Sequence, residues 1–442
     1  MSYIQGEGRH QGTLFPVLLD DLVPGDHVCR VVDAFVNALK MAPLGFERAE
    51  AADTGRPGYD PRDLLKLYLY GYLNQIRSSR RLEAECHRNV ELMWLLGRLC
   101  PDHKSIAEFR RVHREAISAA GAELIRFARN CGLIRGEWIA IDGSKFRAVA
   151  SIDSTRERLA LQRYLDSIEK ADEEQRESID PSAVQAALEK LKQHPEPDAN
   201  FMLVRQMALP AYNVQTAVDA EHAIIVAHSV TLDASDIRCL KPMAEAAKEA
   251  LGVETLQVVA DAGYSNGEQI AQCEEAGITP FVPVMRTVNN QGDGKLFGRT
   301  DFKYDAETDS YTCPGEKKLL RKHTNLKDRY TMYKASSADC GACPLKSSCT
   351  LASRRGLARH LYEDALNRME ERVTPEAMRI RRQTVEHPFA TIKYRIFGHP
   401  RLLVRGLTGA RSEIAIATMA YNLKRITKVL GAATLAAQLQ IC

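Results

Sequence analysis

Two short apolar runs constrain this chain more than any other feature. In GEWIAIDGSKF the residues Trp138 to Ile141 form a run with β-branched side chains that stops at Asp142-Gly143, and in TLQVVADAGYSNGEQIAQCEEAG a second run stops at Asp261, with glycine two residues on. Runs of this length, closed by a turn signal, read as buried strands. A third β region, YNVQTAVDAEHAIIVAHSVTL, reads as a hairpin around a turn near Asp219 to His222. With helical patterns before, between and after them, these strands predict a mixed α/β core. Asp142 and Asp261 should then emerge at the carboxyl edge of the sheet, where ligands of open α/β folds sit. Either one alone is as readily a turn former or a helix cap; the pair is more specific.

The stretch before the first strand, residues 1–135, reads as helical. Asp60 and Pro61 supply an N-cap and a first-turn proline ahead of a long apolar run, and Ser105 with Glu108 has the capping-box spacing. Arg77, Arg80, Arg81 and Arg88 lie on the short pieces between. This pattern fits a small helical DNA-binding domain or a structural bundle with a polar face. Two segments interrupt the core. Between Thr155 and Glu196, Leu161, Leu165 and Ile168, and then Val184, Leu188 and Leu191, recur at helical spacing, which predicts a helical hairpin. From about Thr287 to Arg372 the chain is polar and irregular and carries Cys313, Cys340, Cys343 and Cys349. Four thiolates can close a tetrahedral zinc site, though the spacing departs from a paired C-x-x-C ribbon and fits reduced thiols packed in a loop as well. SEIAIATMAYNLKRITKVL then closes the core as an amphipathic helix.

The eleven cysteines are scattered, and no apolar run of about 18 residues or signal-peptide core is evident, which predicts a cytosolic protein with reduced thiols. Cys86 and Cys273 read as buried apolar residues. A net charge of +3 does not by itself indicate a polyanionic partner. Its local distribution does: from Arg379 to Arg411 eight cations, among them Arg381, Arg382, Lys393 and Arg395, accompany the single carboxylate Glu386. On a continuous helix Arg382, Glu386 and Lys393 face one way. Pro388 predicts a kink or restart just after Glu386. His387 and His399 read as polar contacts rather than general bases, and Tyr264 and Asn266 as DNA contacts or turn residues.

IDGSKF, VADAGY and RRQTVEHPFATIK, in this order, resemble the three catalytic blocks of DDE insertion-sequence transposases. GRPGYDPRDLLKLYLYGYLNQIRSSRRLE with CPDHKSIAEFRR resembles the helical domain of the eleven-eighty-two family of those elements, so the resemblance spans essentially the whole chain. Arg382, Glu386 and Lys393 match the arginine, glutamate and lysine of the family's third block, and Arg379 stands where that block has a tyrosine. The resemblance implies an RNase H-like (retroviral integrase-like) core with an N-terminal helical domain and two inserts: 1–135 for binding DNA, 136–286 for the first part of the core with a helical insert at 155–200, 287–372 for the cysteine-rich insert and 373–442 for the rest of the core. It further implies Asp142, Asp261 and Glu386 as catalytic ligands of two Mg²⁺ or Mn²⁺ ions. The cysteines themselves, apart from the resemblance, favour structural Zn²⁺ on Cys313, Cys340, Cys343 and Cys349. Arg382, Lys393, Arg395, Arg77, Arg80 and Arg81 become the expected DNA contacts. The implied partners are the terminal inverted repeats of a mobile element and a target DNA, met by a homo-oligomer at a prokaryotic nucleoid, with no membrane. A metal-dependent nuclease lacking strand transfer, and a former transposase kept as a DNA-binding regulator, are the competing functions.

Overall fold

The computed structural model describes residues 18–50, 58–170, 180–284, 296–327 and 329–441. The expectations for the N-terminal decapeptide and for the start of the cysteine-rich segment lie outside them. The chain forms two compact units, one of Met1–Ser235, Ala246–Leu256 and Ile380–Cys442, the other of Asp236–Glu245 and Gln257–Arg379. Among the described residues no helix is long and apolar enough to cross a membrane.

The first unit begins with short helices. Pro61–Leu73 starts as its sequence dictates, with the Asp60 carboxylate accepting from the Arg62 N–H at 2.8 Å and proline at the first position. His103–Val112 starts earlier than the capping-box reading: Asp102, not Ser105, is the cap, accepting from the N–H groups of Lys104 and Ser105 at 3.0 and 3.1 Å. Glu108 is drawn instead to Arg111, one turn on. Pro61–Leu73 helps enclose Gly406–Leu430, whose residues from Ser412 to Leu423 are all buried. That stretch of the helix, expected to be amphipathic, is covered on every side, by Arg114–Asn130 and Pro61–Leu73 among others, while Lys424, Lys428 and Val429 beyond it are exposed.

Strand β1 (Trp138–Arg147) pairs antiparallel with β3 (Met207–Asp219) from Ile139↔Asp219 to Arg147↔Ala211. It therefore does not end at Asp142-Gly143: the ladder carries it five residues further, and Asp142 sits mid-strand opposite Thr216. β4 (Ile225–Thr231) pairs with β3 in the expected hairpin. β2 (Asn200–Val204), absent from the sequence reading, pairs with the first half of β3 through a turn at Arg205-Gln206. Helices Ile152–Glu169 and Pro181–Lys192, capped by Ser151 and Asp180, pack together where the helical hairpin was expected.

The second unit holds β5 (Leu256–Val259, save its first residue), the helix Gly267–Glu275 and β6 (Ile278–Phe281), with β5 and β6 adjacent in one sheet. Beyond them the stretch read as irregular is a five-stranded antiparallel sheet. Its strands β7 (Lys303–Asp305), β8 (Ser310–Thr312), β9 (Lys318–Asn325), β10 (Tyr330–Lys334) and β11 (Gly356–His360) lie in sequence order around a core of Phe302, Tyr311, Leu319, Tyr333 and Leu357. Strands of three to eight residues with few β-branched side chains carry a weak alternation signal, which hides them from sequence reading.

Candidate active site

Alternation along β1 puts Asp142, Ser144 and Phe146 on one face. The segment that carries Glu386 runs beside that face. Arg381 Nη2 approaches Asp142 Oδ1 at 3.4 Å, the Lys393 ammonium donates to Ser144 Oγ, and the rings of Phe389 and Phe397 lie 6.3 and 5.6 Å from that of Phe146. Three successive positions on this face of the strand are thus each met by the helical segment that carries Glu386.

The helix Pro375–Ala390 does not break at Pro388. It runs through the proline and widens into a π-helical turn, Thr391–Ile396, where the Phe397 N–H reaches back five residues to the Ile392 carbonyl at 2.9 Å. Arg382 and Glu386, four apart, share an exposed face, and among the described residues neither side chain has a hydrogen-bond or ion-pair partner. Lys393 leaves that face, because the wider turn changes the angular step per residue. Its ammonium is partly buried, 5.1 Å from the Phe146 ring. Burial pushes its pKa below the ordinary lysine value; Arg205 acts the same way and Asp142 opposes. Lys393 is thus a strand-facing group and not the solvent-facing phosphate contact that the helical spacing suggested.

Asp261 follows the last residues of β5 as expected. Its carboxylate accepts from the Gly263 N–H at 2.8 Å, capping the turn Ala262–Tyr264. A Cβ at position 263 would stand 2.9 Å from Asp261 Oδ1, so the glycine is what permits this approach. Asn266 caps Gly267–Glu275 and Tyr264 is fully buried, which makes both of them turn and core residues.

Two family models match the sequence: Transposase domain (DUF772) over residues 17–112 and Transposase DDE domain over residues 205–423. The chain belongs to the DDE transposases. Enzymes of this family cleave DNA and transfer its strands with the help of divalent metal ions, and the mixed α/β core of this transposase is RNase H-like. The matched DDE span contains Asp261 and Glu386, while Asp142 precedes it. No curated protein sequence matches the transposase. Among solved structures it is similar to a piggyBac transposase synaptic complex with hairpin DNA, at 9% identity and a TM-score of 0.36, over 93% of this chain and 78% of that one.

The basic residues of the transposase divide by environment. Arg80 and Arg81 on Ser79–Cys86 are exposed, as are Arg382 and Arg395. Arg77 is not available to DNA: it is buried, 2.6 Å from the fully buried Glu413, donates to the carbonyls of Phe397 and Arg401 at 3.1 Å, and stacks 4.0 Å over the Phe397 ring. The sequence expectation fails here because the partner carboxylate is remote in the chain. His387 sits 3.4 Å from the Tyr421 hydroxyl, and partial burial, with Arg425 and Lys428 nearby, lowers its pKa below the ordinary imidazole value.

Cys313, Cys340, Cys343 and Cys349 line one small cavity of the second unit. Backbone N–H groups of Lys317 and Arg355 point to the sulfurs of Cys313 and Cys340 at 3.4 and 3.5 Å, and a Cβ on Gly315 would meet Cys343 Sγ at 3.3 Å and Cys313 Sγ at 3.8 Å. Cys86 and Cys273 are buried as expected, with burial pushing each thiol up to about 12. A second group, His27, Cys29 and Glu91, brings its donor atoms within 4.8 Å of one another. The Cys29 N–H donates to His27 Nδ1 at 3.3 Å, and His27 Nε2 lies 3.4 Å from Glu91 Oε1. With Tyr70 also donating to Glu91 at 2.7 Å, the group is a helix-capping hydrogen-bond network.

Proposed function

We propose that Asp142, Asp261 and Glu386 are the carboxylates that hold the divalent ions of this transposase, Mg²⁺ or Mn²⁺, and that its substrates are the terminal inverted repeats of an element of the eleven-eighty-two type and a target DNA. The observation that carries the reading is the packing of the Glu386 helix along the Asp142 face of β1, fastened at Arg381 and at Lys393. Oxygen-only donors of this kind suit hard divalent cations. When bound, such ions activate a water or a DNA 3′-hydroxyl and stabilise the leaving oxygen of an in-line displacement. The chain's own contribution is positional. Arg381 holds one oxygen of Asp142, Gly263 fixes the Asp261 carboxylate, and the unpartnered Glu386 stays available as a ligand. Arg382, Arg395, Arg80 and Arg81, all exposed, supply phosphate contacts.

The cysteine cluster is assigned to structural Zn²⁺. The four-thiol donor set, the shared cavity and the N–H groups directed at two of the sulfurs all suit thiolate ligation.

A comparison of two variants tests the active-site reading. Glu386→Gln keeps the neighbouring cations, so Mg²⁺-dependent cleavage should fall by orders of magnitude while DNA affinity is unchanged or slightly higher. Replacing Arg382 and Arg395 by Ala should instead weaken binding and reduce the slope of log affinity against log salt by up to about 2, one unit per phosphate contact. Full cleavage by Glu386→Gln would overturn the assignment.

A further inference from the structure

The β2–β3 hairpin ends in a tip that the active-site reading does not use. Arg205 and Gln206 form its two-residue turn with φ of 49° and 69°. Positive φ at both positions is the geometry of a type I′ turn, which favours asparagine and glycine; arginine and glutamine there are strained. On either side of the turn stand Leu203, 73% exposed, and Met207, 60% exposed. Leu203 is opposite Ala208 and Met207 is opposite Val204, so the two apolar side chains project from opposite faces of the ribbon. A patch made for a flat partner would gather them on one face. Here the occupant must lie on both sides of a thin ribbon.

The surroundings are cationic. Arg205 donates to the hydroxyl of Tyr394, a ring 46% exposed, and the next residues on either side of that tyrosine are Lys393 and Arg395. No acidic residue occurs between Asp198 and Asp219 or between Glu386 and Glu413. Lys393 in turn donates to Ser144, two residues along β1 from Asp142. The tip therefore reaches the same helical segment that carries Glu386.

Resting on the active-site reading for its location, we propose that this hairpin tip is a DNA wedge: Leu203 and Met207 enter the base stack beside the scissile strand, and a base freed by them stacks on Tyr394. Apolar side chains inserted between base steps unstack and kink duplexes, and aromatic rings hold unpaired bases with little sequence preference. The exposed Arg205 and Arg395 beside the tip hold the phosphates of the opened strands.

The test uses the full chain and a 30-bp duplex made from the DNA flanking this reading frame, with 2-aminopurine at the end-proximal position, in metal-free buffer. Wild-type protein at saturation should raise the emission at least twofold over free duplex. The Leu203→Ser, Met207→Ser double variant should leave emission within about 1.5-fold of free duplex, with affinity reduced less than about threefold. Tyr394→Leu should raise emission above wild type, because the freed base loses its stacking partner, whereas Tyr394→Phe should match wild type. No rise with wild type, an equal rise with the double variant, or identical emission for Tyr394→Leu and wild type each overturns the proposal. Thermal unfolding confirms that the exposed substitutions leave the fold intact. Cleavage does not enter this readout, so full activity of Glu386→Gln would sink the active-site reading without deciding the wedge.

Discussion

Removing Arg77 isolates the difference between a DNA contact and a structural ion pair. Its guanidinium lies against Glu413, which is 0% exposed and also accepts the N–H groups of Leu403 and Val404 at 2.8 and 3.2 Å. Arg77→Ala strands that carboxylate without its counter-charge and leaves two carbonyls and one ring face without their donor. Breaking one side of a buried pair costs about 3–5 kcal/mol. Spread over the unfolding entropy of a unit of roughly 300 residues, at about 2.1 cal/mol/K per residue, this lowers the melting temperature by about 5–8 °C. The double variant Arg77→Met, Glu413→Gln should recover part of the loss, since it removes the buried charge together with its partner while the glutamine oxygen still accepts the Leu403 and Val404 N–H groups. Thermal denaturation followed by circular dichroism reads the shift, and the salt slope of DNA binding, measured below the transition, should equal that of wild type. A variant that melts within about 1 °C of wild type and loses a unit of salt slope would refute the buried-pair argument and return Arg77 to the DNA surface.

Purified protein should carry about one zinc per chain by elemental analysis, lost together with part of its thermal stability when Cys340 and Cys343 are changed to Ser; metal-free protein of undiminished stability contradicts the cysteine assignment. Gly263→Val should push the Asp261 carboxylate aside, since a Cβ there already falls 2.9 Å from Oδ1, and cut Mg²⁺-dependent cleavage by about 100-fold with DNA affinity kept. Undiminished cleavage in that variant would show that Asp261 does not depend on the turn for its position.

What the sequence determined by itself is local. The Asp60-Pro61 helix start, the β3–β4 hairpin and the turn at Asp261 each depend on groups a few residues apart, so their residue types suffice to specify them. Motif order likewise made the transposase family legible. Other outcomes required the folded chain. The ladder between β1 and β3, not the Asp-Gly pair, decides where β1 ends. The π turn decides that Lys393 faces Ser144, 249 positions away, and the burial of Gly406–Leu430 decides that Arg77 meets Glu413, 336 positions away. A cation's role follows from whether water or a carboxylate surrounds it. Near-neighbour residues can supply the helix on which Arg80 and Arg81 stand and the loop that places Arg77 just before it, but only packing between segments distant in sequence removes one of the three from solvent and leaves the other two exposed.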